Sequence, residues 1–322
     1  MSLGLGLAAL GRPGYVNLGH AEDLGGTYDE QVMERRCHDV LDAAWAGGVR
    51  HLDVARSYGR AEAFLASWLA AHALESSALT VSSKWGYTYT AGWAVTAEHH
   101  EVKDHSLATL TRQLRESRAL LGDHLDLYQV HSATLESGVL DDAGVLDALG
   151  ALRDDGLTVG ITTSGPDQAV VVRRALEIER GGRRLFASVQ TTWNLLERSA
   201  GAALAEAHDE GVLVIVKEAL ANGRLTARND DPAFAPARAR LDEVAARHGT
   251  DPSTIALAAA MSRPWADVVL SGAATVGHLT ANLAAATIAG ALGETGTAED
   301  VLADWAEAPE TYWSVRRALT WN

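Results

Sequence analysis

The sequence predicts a (β/α)8 TIM barrel, an α/β fold formed as a single domain over residues 1–322, and three observations predict it. Eight short runs rich in β-branched residues recur near 3–9, 49–55, 79–84, 125–131, 157–163, 186–191, 212–218 and 267–272. Helix-length amphipathic patterns lie between them, and no linker-like break interrupts the alternation. Several runs are apolar throughout, as in Val212-Leu213-Val214-Ile215-Val216, which is how a strand covered on both faces reads. An open doubly wound sheet would want Gly-x-Gly-x-x-Gly directly after its first strand. Gly4 and Gly6 lie inside the first run and no third glycine opens a helix, so the barrel is preferred.

Each helix has its own signal. Over 105–121, Leu107, Leu110, Leu114 and Leu121 share one face, and Gly122 follows as the left-handed terminator. Over 142–155, Val145, Leu146, Leu149 and Leu152 do the same, ahead of Gly156. Pro166 suits the first turn of a helix running to about Arg180, and Ser199 suits the N-cap of one running through His208. Three connections exceed what a barrel needs: about 85–104, 219–240 and the tail after about 290. Long loops of this kind belong at the C-terminal face, where barrel sites are built.

Composition narrows the function. Hydrophobic residues make up 47% of the chain and charged ones 21%, the balance of a globular protein. The formal net charge of −15 argues against nucleic acid and anionic membrane surfaces, since both are met with Lys and Arg. Cys37 is the only cysteine, so no intramolecular disulfide is expected, and a small buried thiol is. Met1–Leu10 lacks a basic n-region, and no run approaches the roughly 20 apolar residues of a membrane span. A cytoplasmic protein is the expectation.

Four residues carry the chemistry. Asp53 and Tyr58 lie in Gly-Val-Arg-His-Leu-Asp-Val-Ala-Arg-Ser-Tyr-Gly, Lys84 ends Leu-Thr-Val-Ser-Ser-Lys, and His131 ends Leu-Asp-Leu-Tyr-Gln-Val-His. In a barrel these positions share one mouth. A phenol with a pKa near 10 is a poor acid at neutral pH, but a neighbouring ammonium stabilises phenolate and lowers that value. Lys84 is expected to do this, held charged and oriented by Asp53, while His131 binds the same carbonyl oxygen. That combination points to a reductase. The 12 histidines show no metal-ligand spacing, so a metal is not expected, and a barrel hydrolase is the weaker enzyme reading.

With these residues in place, the chain resembles the aldo-keto reductases, whose Asp/Tyr/Lys/His tetrad is matched by Asp53, Tyr58, Lys84 and His131. The resemblance runs from the Gly-rich first strand to Asn282. It implies a nicotinamide cofactor, NADP(H) by the family's habit with NAD(H) as the alternative, and a small-molecule carbonyl or alcohol substrate. The family's polar pair for the carboxamide corresponds to Thr162 and Thr163, with Gln190 beside them, where the usual pair is Ser and Asn. After the seventh strand the family often has a stacking aromatic followed by Ser-Pro-Leu. Here Lys217-Glu218-Ala219-Leu220 stands, and Trp193 is the candidate replacement. The C-terminal cofactor segment maps onto Gly272, Ala273 and His278 and continues to Asn282. No Lys or Arg for a 2′-phosphate stands in that segment, which leaves Arg224 or Arg228 to approach from the loop after strand 7. Trp85 and Trp93 are expected in the substrate pocket. The rival from another class is a non-catalytic nicotinamide-binding regulatory or scaffold protein, as some relatives of this barrel are. Oligomeric state is not readable.

Overall fold

The computed structural model describes residues 1–294 and 303–322, so part of the long tail after residue 290 lies outside the described residues. Each of the eight predicted runs forms a barrel strand. In chain order the elements of the first half are β1 (Ser2–Gly6), α1 (His20–Asp23), α2 (Glu30–Ala46), β2 (His51–Asp53), α3 (Ala61–His72), β3 (Thr80–Trp85), β4 (Tyr87–Tyr89), β5 (Glu101–Lys103), α4 (Leu107–Leu121) and β6 (Leu125–Ala133). There follow α5 (Ala143–Asp154), β7 (Thr158–Thr163), α6 (Gln168–Leu176), β8 (Glu179–Arg180), β9 (Arg183–Arg184), β10 (Ser188–Thr192), α7 (Gly201–Asp209), β11 (Leu213–Lys217), α8 (Ala235–His248), α9 (Pro252–Met261), β12 (Val268–Ser271), α10 (Val276–Glu294) and α11 (Pro309–Ala318).

The strands close in the order β1-β12-β11-β10-β7-β6-β3-β2, and every ladder in the barrel is parallel. Closure leaves the barrel itself no free edge. It also explains the uniformly apolar runs, because each strand packs on the barrel interior and on the helix ring; Val214, Ile215 and Val216 are all fully buried. The helix starts follow local chemistry. Asp29, Ser106, Asp142 and Asp251 cap α2, α4, α5 and α9 by accepting backbone N–H bonds from Val32, Thr109, Val145 and Thr254. Among the described residues no helix is long and apolar enough to cross a membrane.

Three expectations change at element ends. β1 stops at Gly6, and Leu7–Leu10 turn back, the Leu10 N–H bonding to the Leu7 carbonyl. Pro166 does not open α6, which begins at Gln168 and ends at Leu176. The expected extension to Arg180 is lost because Gly181 and Gly182, both at positive φ (58° and 69°), turn the chain into the β8–β9 hairpin. Ser199 is not the N-cap of α7; that place is taken by Ala200, and the Ser199 hydroxyl donates to Glu197.

Candidate active site

The four residues singled out by sequence meet at the C-terminal mouth. Asp53 ends β2 and Lys84 lies on β3, with side chains 3% and 1% exposed, and they form a buried ion pair. The Lys84 ammonium also donates to the Val54 carbonyl (2.9 Å). Asp53 accepts further bonds from Ser82 Oγ (2.7 Å) and Gln190 Nε2 (2.8 Å). Lys84 Nζ sits 4.8 Å from the centre of the Tyr58 ring, and the Tyr58 and His131 rings meet edge to face at 5.5 Å.

Local backbone sets the aim of Tyr58 and His131. Ser132, the residue after His131, has φ 52°, and the β6–β7 ladder slips between Val130 and Ala133. Such an irregularity bends a strand and re-aims a side chain; here it marks the level of the site. Tyr58 is held by close backbone approach, since a Cβ on Gly11 would fall 2.3 Å from the Tyr58 carbonyl oxygen.

The electrostatics differ from the sequence expectation. Lys84 was expected to lower the Tyr58 phenol. Burial instead raises it well above its ordinary value, Asp53's charge adds to the rise, and the Arg12 guanidinium opposes it. Lys84 is itself paired with Asp53, and its own burial lowers the ammonium. His131 is driven well below the usual histidine range, first by burial and then by Lys84 and Lys217, so it is neutral at pH 7. The site therefore holds a protonated phenol beside a neutral imidazole. It can give a proton to an oxygen atom and hold that atom with a second hydrogen bond.

One cavity of about 410 Å³ runs from this cluster across the mouth. Asp53, Tyr58, His131, Thr162, Gln190, Lys217, Leu220, Gly272, Ala273, His278 and Asn282 all line it. Thr163 does not; its hydroxyl turns to Thr191 Oγ1 (3.0 Å) inside the barrel wall. Arg228 reaches the cavity, bound to Asp23, which also lies 3.5 Å from His278. Arg224 does not reach it, being paired with Glu307. Lys217 donates to Thr192 Oγ1 (3.0 Å) and stands 4.0 Å from Glu218, whose carboxylate is gripped by Arg316 from α11. Burial lowers Lys217 to about 8, and Glu218 is held at about 2, its Arg316 and Lys217 neighbours outweighing burial.

The tryptophan expectations are corrected. Trp85 is fully buried against the His105 ring, and Trp93 donates Nε1 to the Tyr28 carbonyl (2.6 Å) and packs on Phe64. Neither lines the cavity, because their indoles fasten the 85–104 connection to the barrel. Trp193 packs on Trp265 and does not line the cavity either. Sequence reasoning missed Arg12, Tyr15, Glu101 and Trp321, which line the cavity beside Tyr58. A cation two residues past the first strand's turn was the one available signal.

The aldo/keto reductase family model matches residues 2–290. The chain belongs to this family. Relatives by sequence include Protein tas of Escherichia coli (strain K12) and of Shigella flexneri, each 27% identical over 301 residues, covering 80% of this chain and 86% of theirs. The fold is also that of aldo-keto reductase AKR11C1 from Bacillus halodurans, solved in its holo form, with a TM-score of 0.69, 21% identity and coverage of 95% and 92%.

Proposed function

We propose that this aldo-keto reductase is an NAD(P)-dependent oxidoreductase that interconverts a small aldehyde or ketone and its alcohol, with Tyr58 as general acid and base. The observation that carries the reading is that one continuous cavity joins the Tyr58–His131 cluster to the Gly272–Asn282 segment. The residues suit a dinucleotide. A Cβ at Gly272 would meet nothing within 4 Å, so that wall is open, and Lys217 and Arg228 place cations along the cavity. Thr162 and Gln190 would hold the carboxamide, with Thr163 behind them, and Gly272, Ala273, His278 and Asn282 the adenosine end. Leu220 and Lys217 lie between. When bound, the nicotinamide supplies or takes up the hydride.

In the reducing direction Tyr58 holds the proton at Oη and releases it to the carbonyl oxygen. Neutral His131 orients that oxygen without adding charge. The Lys84–Asp53 pair fixes the floor beneath Tyr58. In the oxidising direction Tyr58 accepts the alcohol's proton instead. NADP(H) is the cofactor that family membership favours and NAD(H) the alternative; Arg228 is the cation on hand for a 2′-phosphate, though shared with Asp23.

Titrating intrinsic tryptophan fluorescence with NADPH and with NADH in one buffer tests the cofactor, and steady-state reduction by Tyr58→Phe tests the acid. Saturable quenching is expected, with turnover down at least a hundredfold in the variant and cofactor affinity within a few-fold. Folded protein that binds neither dinucleotide, or a fully active Tyr58→Phe, would overturn the reading.

A further inference from the structure

Arg12 is an unusual cation. It is 3% exposed yet lines the cavity beside Tyr58, on a chain whose net charge is −15. Both of its hydrogen bonds leave from Nη1, to the Ser57 carbonyl (3.0 Å) and to Glu101 Oε2 (3.0 Å). Nε is buried without a partner, and Nη2 makes no hydrogen bond among the described residues. A guanidinium carries five N–H donors in a fork shaped for an oxyanion, and most of this fork is unused.

Its surroundings hold it in place. Three aromatic rings stand around Cζ, with centres at 5.2 Å (Tyr58), 5.3 Å (Tyr15) and 4.7 Å (Trp321). Trp321 is itself stacked on His100 at 4.0 Å and 8°. Glu101 is a partial counter-charge, 23% exposed and bound through one oxygen. A buried cation costs several kcal/mol unless well paired, so an arginine left this open is built for an anion that arrives with the substrate.

We propose that Arg12 is a substrate-recognition residue, and that the carbonyl compounds taken by this site carry a carboxylate that pairs with its guanidinium. This rests on the oxidoreductase reading above. The closeness of Arg12 to Tyr58 sets a short substrate, with the carboxylate a few bonds from the carbonyl carbon. Glu101 selects a singly charged group, because a phosphate dianion would meet stronger repulsion beside it.

The test compares 4-carboxybenzaldehyde with its neutral methyl ester. In the native chain kcat/KM for the acid should exceed that for the ester at least tenfold. Arg12→Met should bring the ratio to about one or below, and Arg12→Lys should restore part of it. Glu101→Gln removes the negative charge beside the guanidinium and should raise the ratio severalfold, which keeps the proposal open to refutation even where Arg12→Met folds poorly. A native ratio near one, or a ratio that survives Arg12→Met, would overturn it. Benzoate binding, read by tryptophan fluorescence, needs no turnover and should weaken at least tenfold in Arg12→Met. Arg12-dependent benzoate binding without turnover of either aldehyde would sink the oxidoreductase reading and leave the carboxylate site standing. Equal turnover of both aldehydes with no benzoate binding would do the reverse.

Discussion

Asp53→Ala is the most informative perturbation of the stability of this barrel. It removes the partner of an ammonium that is 1% exposed, leaving Lys84 Nζ with the Val54 carbonyl as its remaining acceptor. It also removes the nearest acceptor of Ser82 Oγ and the acceptor of Gln190 Nε2. Leaving one member of a buried pair behind costs about 3–5 kcal/mol, a large share of the roughly 5–15 kcal/mol that holds a domain together. Lys84→Met should cost less, about 3 kcal/mol at most, because Asp53 keeps its neutral donors. Combining Asp53→Ala with Lys84→Met should cost no more than Asp53→Ala alone, a coupling of about 2–3 kcal/mol. Urea unfolding at pH 7 followed by circular dichroism, run on all four proteins, measures it. Costs that simply add, to within about 0.5 kcal/mol, would refute the argument that each charge is there for the other.

Three further outcomes are expected. His20 is fully buried, and burial lowers it to about 4 against the pull of Asp23. The unfolded chain takes up that proton near pH 6.5 and the folded one resists to about 4, so stability is full above 6.5 and falls below it, by about 3 kcal/mol in all. Urea midpoints between pH 7.5 and 4.5 should fall less in His20→Phe, and equal slopes would remove His20 from the account. Gly11→Ala drives a methyl into the Tyr58 carbonyl and should cost about 1–3 kcal/mol. Turnover should fall further than stability alone explains, and unchanged kcat would show that Tyr58 is not seated by this contact. Arg316→Met leaves Glu218 with Lys217 as its remaining cation among the described residues and should cost about 2 kcal/mol, reduced from the fully buried case by the arginine's 25% exposure. An unshifted thermal midpoint would contradict it.

The barrel was legible because strands covered on both faces must be apolar throughout, and runs such as Val212–Val216 have no other easy reading. The tetrad was legible because strand ends of a barrel converge whatever lies between them. Arg12 was not, since its neighbours Glu101 and Trp321 are brought to it by a hairpin and a tail whose paths no periodicity announces. The indoles of Trp85 and Trp93 were misplaced for a related reason: an aromatic in a loop beside a site looks the same in sequence whether it faces the ligand or pins the loop. The end of α6 was readable in principle, for Gly181-Gly182 between short polar stretches is a hairpin turn signal.

Asp53 gathers donors from β3 and β10 as well as sitting on β2, so a single carboxylate stitches strands that lie on opposite sides of the barrel order. Architecture and the proposed chemistry thus share the same atoms. A descendant of this protein that lost its reaction would be expected to keep Asp53 and Lys84, because folding would still select for them. The residues free to drift would be Tyr58 and His131.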